Sequence, residues 1–117
     1  ALKPLADGAA LLDLQRAVRD VEVREPVARY LLAIVTATRD HPDLALGASP
    51  RGTLAFFRAS QARAFLAGRR YVTPDDVQRL AEPVLAHRVA PTPQARYGGT
   101  PTAALVRDIT KRVAVPV

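Results

Sequence analysis

The chain has 117 residues, nearly half of them apolar, enough for one domain with a buried core and no covalent staples. It has no cysteine, which excludes disulfides, thiolate metal sites and cysteine nucleophiles, and no apolar run long enough to cross a bilayer. The net charge of +6 comes almost wholly from arginine, Lys3 and Lys111 being the only lysines, and acids are interspersed among the arginines from Arg16 to Arg112; that dispersal argues against a nucleic-acid-binding face. No methionine occurs, even at position 1, and no basic-then-apolar leader precedes the first helical pattern, so the expectation is a cytoplasmic domain excised from a longer protein.

Leu11, Leu14, Val18 and Val21 recur at three- and four-residue steps and predict a first helix from about Gly8 to Arg19, capped by Asp7, with one apolar stripe. Val21-Glu22-Val23 alternates and reads as at most a short extended connection. Val27, Tyr30, Leu31, Ile34, Val35 and Thr38 follow the template of an amphipathic helix that starts at Pro26 and ends near Arg39. Asp40 to Ala48, with Pro42 and Gly47, reads as a loop in which His41 is solvated.

Pro50 to about Ala67 reads as a third helix stopped by Gly68. Its apolar residues, Leu54, Phe56, Phe57, Phe65 and Leu66 among them, point around most of the circumference and predict the most enclosed helix of a bundle, with the phenylalanines in the core. Thr73-Pro74-Asp75-Asp76 is the strongest helix start: threonine at N-cap, proline at N1, and two acids whose capping position accounts for them fully. That fourth helix runs to near Arg88 with Pro83 inside it, where a kink or a lost hydrogen bond is expected. Pro91 to Pro101 reads as a loop, and Thr102 to Arg112 as a last helix packing through Leu105, Val106, Ile109 and Val113. The fold class is therefore all-α, a small bundle of four to five helices over residues 1–117.

Gly47-Ala48-Ser49-Pro50-Arg51-Gly52-Thr53 carries the chemistry. Ser49 at N-cap and Pro50 at N1 form an ideal helix start, but Arg51 then falls at N2, where a cation costs about 0.3–1 kcal/mol against the helix dipole unless an anion shares the space. The glycine spacing imitates a phosphate-binding P-loop. It lacks the lysine that reaches the phosphates, since Thr53 holds that position, and no strand pattern leads into it. His41 and His87 belong to no spaced ligand set, so no metal site is expected; His87 reads as a residue favouring a helix C-terminus.

Taken together, Ala37-Thr38-Arg39, Leu46 to Arg51, Gly68 to Val77 and Val84-Leu85-Ala86-His87-Arg88-Val89 resemble, in order and spacing, the C-terminal lid of MoxR-family AAA+ ATPases. The visible departure is Gly52, where that family usually has alanine. The resemblance implies that Arg51 is the sensor 2 arginine, reaching ATP phosphates held by an N-terminal nucleotide-binding core that this chain does not include. It also implies ATP and Mg in the full-length protein, a lid that rotates with nucleotide state, and a homo-oligomeric, hexameric ring. Chaperone-like remodelling with a von Willebrand A domain partner is implied as well. The chain alone is expected neither to hydrolyse ATP nor to bind it tightly. Arg39, His87 and Arg88 are motif residues whose roles stay open between holding loops, meeting the base side of the nucleotide and facing an adjacent subunit. Two rival readings are a small basic helical nucleic-acid-binding module and a nucleotide-independent protein-interaction bundle, the latter using the Tyr97-Gly98-Gly99 loop.

Overall fold

The computed structural model describes residues 7–116, so Lys3 lies outside the described residues. In chain order the elements are α1 (Gly8–Arg19), α2 (Glu25–Asp40), β1 (Leu44–Leu46), α3 (Pro50–Leu66), α4 (Pro74–Leu85), β2 (Ala90–Pro91), α5 (Pro93–Tyr97) and α6 (Thr102–Arg112). The fold is helical, with one small two-stranded sheet.

Helix α2 forms as its pattern requires. Val27, Tyr30, Leu31, Ile34, Val35 and Thr38 are its buried residues, and Leu31, Ile34 and Val35 sit at the centre of the core with Phe56, Val77, Leu85 and Val106. Helix α6 closes that core with Leu105, Val106 and Ile109, while Val113 packs at its edge. Each fully buried leucine or valine contributes about 1.5–3 kcal/mol by leaving water.

Two expectations about packing are corrected. Helix α1 starts on its Asp7 cap, whose side chain accepts from Ala10 N–H, yet it buries no residue, and Leu11, Leu12 and Leu14 are about half exposed. Periodicity marks an apolar face but not what covers it. Helix α3 is also less enclosed than its composition implies: Leu54 and Leu66 are exposed, and Phe57 and Phe65 only border the core that fully buries Phe56. The molecule is a slab 21 Å thick along its shortest axis, about two helix diameters, so a helix in it is covered on one side.

The buried stripe of α3 is Gly52, Phe56, Ser60, Gln61 and Ala64, with two polar members bonded internally. Ser60 donates to the Phe56 carbonyl, and Gln61 donates to the carbonyls of Arg19 and Val21, tying the end of α1 to α3. The Val21–Val23 connection bends at Val21, and its Glu22 forms an isolated parallel bridge with Tyr71.

The region after α4 departs most from the sequence reading. Helix α4 runs through Pro83, which withholds one donor from its last turn, and ends at Leu85, before His87 and Arg88, where the chain leaves to pair β2 with β1. Leu44 faces Pro91 and Leu46 faces Ala90 across this antiparallel pair, which reads in sequence as two loops. A further short helix, α5, occupies the middle of the expected Pro91–Pro101 loop. Its signal is the Thr92-Pro93 cap, in which the Thr92 hydroxyl accepts from Ala95 N–H, and the helix count among the described residues is therefore six.

Candidate functional site

The β1–β2 pair brings the turn after α4 back to the loop before α3, so three of the four sequence motifs meet at the first turn of α3. Within that turn Ser49 is N-cap and its hydroxyl accepts from Gly52 N–H at 3.1 Å. Thr53 N–H and the Thr53 hydroxyl both donate to the Ser49 carbonyl, at 2.8 and 2.9 Å. Pro50 has no N–H. The N–H groups of Gly52 and Thr53 are thus bonded within the turn, while those of Ser49 and Arg51 have no protein partner among the described residues. An anion arriving here also meets the side chains around the turn.

Those side chains are arginines. Arg51 is exposed at N2, and the first turn contains no acid. Arg39, in the last turn of α2, donates from Nε to the Ala48 carbonyl at 3.0 Å, which leaves the ends of its guanidinium free of any protein bond among the described residues. Arg88 runs beside the same turn, its Cδ 3.4 Å from where a Cβ on Gly52 would lie. None of the three has a carboxylate partner among the described residues, whereas Arg29 pairs with Glu25, Arg79 with Asp75 and Arg107 with Glu82. Acids neutralise arginines over much of the surface and are missing here.

Gly47 and Gly52 occupy this motif for different reasons. A Cβ at Gly47 would lie 2.6 Å from the Cα of Arg39, so only glycine lets the loop approach α2 this closely. A Cβ at Gly52 would meet its neighbours at ordinary contact distance. Ala48 between them is buried, and its N–H donates to the Thr38 hydroxyl at 3.0 Å. That hydroxyl in turn donates to the Val35 carbonyl at 2.6 Å. In sequence Thr38 reads as part of a helix face and of the Ala37-Thr38-Arg39 motif, with no role of its own. Its signal was a hydroxyl at a register position otherwise filled by apolar residues.

Arg39, Ser49, Pro50, Arg51 and Arg88 are thus gathered in one place. His87 stands exposed in the adjoining turn with no bond among the described residues. His41 is corrected from a solvated residue to a mostly buried C-cap of α2: its side chain is 9% exposed, Nδ1 accepts from Asp43 N–H at 3.0 Å, and Nε2 lies 3.8 Å from Asp108. No group of three or more metal-ligating side chains occurs among the described residues.

Capping does not fully account for Asp76 either. Its carboxylate accepts from Thr73 N–H, completing a capping box, and also receives two bonds of 2.7 Å from Arg69, with Arg63 Nε 3.2 Å away. Burial pushes this carboxyl up, but the hydrogen bonds from Arg69 and Thr73, and then the charge of Arg69, outweigh it and hold Asp76 below the usual carboxylate range. Arg69 is correspondingly raised by its bond to Asp76.

The profile of the AAA lid domain family matches residues 36–109, which include every residue of this site. The chain is 42% identical to the protein YeaC of Bacillus subtilis over 99% of its own length and 36% of that protein's. It is 30% identical to the chaperone MoxR1 of Mycobacterium tuberculosis over 97% of its length and 33% of that protein's. It also superposes, with a TM-score of 0.87 and 25% identity, on a crystal structure of a "putative ATPase" from Cytophaga hutchinsonii, covering 93% of this chain and 36% of that one. The chain spans about a third of the length of these relatives.

Proposed function

The chain belongs to the AAA lid domain family, in the form carried by MoxR-like ATPases, and from that premise we propose that it is the lid of a longer ATPase and that Arg51 is its sensor 2 residue. One observation carries the reading: Arg51 projects from the first turn of α3 against the helix dipole, with no acid in that turn and with Arg39 and Arg88 beside it. Such a cluster is stabilised by a polyanion from outside the chain. A nucleoside triphosphate held by an N-terminal core fits that requirement, and its Mg would take its ligands from the core.

The guanidinium suits this task because it stays charged and presents several donors in a fixed fork, so it can follow phosphate charge that redistributes during hydrolysis. Losing the terminal phosphate removes one end of the bridge between lid and core. The packed bundle then passes this change on as a rotation of the whole lid. The exposed leucines of α1 support an assembly in which another body covers that face, either the chain's own core or a neighbour in a homo-oligomeric ring. A hexameric ring, a von Willebrand A domain partner and a chaperone-like remodelling role in the cytoplasm belong to the same proposal.

Steady-state ATP hydrolysis by the full-length protein and its Arg51→Ala variant tests the assignment. Turnover should fall by roughly 10²-fold or more, the usual loss when a group stabilising transition-state charge is removed. Unchanged turnover would refute it. The isolated lid should show neither hydrolysis nor tight ATP binding, and measurable turnover by the lid alone would contradict the division of labour.

A further inference from the structure

We infer that Thr38 and Arg39 form a clamp that positions Arg51, making the last turn of α2 part of the nucleotide-responsive apparatus; this rests on the sensor reading above. The clamp holds a single residue, Ala48, by both of its backbone groups. Thr38 takes the Ala48 N–H at 3.0 Å and Arg39 Nε donates to the Ala48 carbonyl at 3.0 Å, so adjacent residues of one helix grip the two peptide groups that flank Ala48. The Thr38 hydrogen is committed to the Val35 carbonyl at 2.6 Å, which turns the hydroxyl's lone pairs toward Ala48. Gly47 packs directly against the Arg39 backbone and removes the remaining play.

The consequence follows from chain connectivity. Ala48 immediately precedes the Ser49 cap, and Arg51 stands two residues beyond that cap. Fixing both polar groups of Ala48 fixes the entry angle and the rotational setting of α3, and with them the direction in which Arg51 leaves the helix. Thr38 is fully buried, so it cannot touch nucleotide and can act only through this linkage. Thr38 is therefore a positioning residue, and Arg39 shares that role through its Nε while the ends of its guanidinium stay in the arginine cluster. Their contribution lies in transition-state geometry, where a displacement of about 1 Å can cost as much as 10²-fold in rate.

The test is a double-mutant cycle on turnover in the full-length protein, using Thr38→Val, which keeps the shape and removes the hydroxyl, with and without Arg51→Ala. Arg39→Lys, an exposed change that keeps the charge but loses the Nε donor, repeats the cycle without altering the core. Every variant is assayed at a temperature where circular dichroism shows it folded. The expected result is a roughly tenfold or greater loss of kcat in each clamp variant with KM nearly unchanged, recovery in Thr38→Ser, and no further loss when Arg51 is already alanine. If the clamp variants are silent, or cost the same factor with and without Arg51, the clamp proposal is overturned while the sensor assignment stands. If Arg51→Ala is itself silent, the sensor assignment fails and the clamp proposal fails with it.

Discussion

Helices α3 and α4 begin alike, each with a hydroxyl residue at N-cap and a proline after it, but the two starts do opposite things with charge. At α4 the cap is followed by Asp75-Asp76, which the dipole favours, and Asp76 turns inward to meet Thr73, Arg69 and Arg63. At α3 the cap is followed by Arg51-Gly52, which the dipole disfavours, and Arg51 turns outward without a partner among the described residues. The first start is electrostatically complete within the chain. The second is incomplete in its charge. The same local signal thus builds a structural joint in one place and a contact for something else in the other.

The sharpest way to break the comparison is at the closed start. Asp76→Ala removes the capping box and the charge-assisted bonds from Arg69, whose guanidinium stays partly in water, so chemical denaturation should show a loss of about 2–3 kcal/mol. A loss below about 1 kcal/mol, typical of exposed pairs, would mean that the joint is not structural. At the open start the effect should fall on rate instead: Arg51→Ala should cost about 10²-fold in turnover of the full-length protein. In the isolated lid the same change should leave stability level or raise it by about 0.3–1 kcal/mol, because it relieves the dipole.

Gly47→Ala drives a methyl group into the Arg39 backbone and should lower stability by roughly 1–3 kcal/mol, the typical cost of overpacking. A wild-type urea midpoint in that variant would show that the loop has room to move. The response to acid distinguishes the two starts again. Because the folded-state carboxyl of Asp76 lies below the ordinary value, its contribution is fully present above about pH 4 and is lost as pH falls from there through the lowered value. Stability measured from neutral pH downward should therefore drop in that acid window, and the drop should be shallower in Asp76→Asn. The smallest effect is at Gly52, where a Cβ has ordinary contacts and the backbone angle is not positive, so Gly52→Ala should gain about 0.4–1 kcal/mol by restricting the unfolded chain. Destabilisation there would place Arg88 more tightly against the turn than its position indicates.

Much of this molecule was legible because its signals are local. The burial of α2 follows its apolar register residue by residue, and the caps at Asp7, Ser49 and Thr73 each bond within the next three residues. The leucines of α1 were legible as a stripe and misleading as a core, since coverage depends on what packs there. Asp76 was legible as a cap, but Arg69 reaches it only because the chain turns back between α3 and α4. Residues 44–46 and 90–97 escaped because a strand of two or three residues has no period to read, and its pairing is forty-odd positions away.

By itself the sequence determined where the helices start, which faces of α2 and α6 are apolar, and that Arg51 stands uncompensated at a helix N-terminus, because each depends on residues within a turn or two of one another. Only the tertiary structure decided that Thr38 and Arg39 grip Ala48 and that Arg88 flanks Gly52. The first contacts close a loop of about ten residues and the last joins residues much farther apart, and nothing in local propensity encodes how a loop and a two-residue strand close those distances.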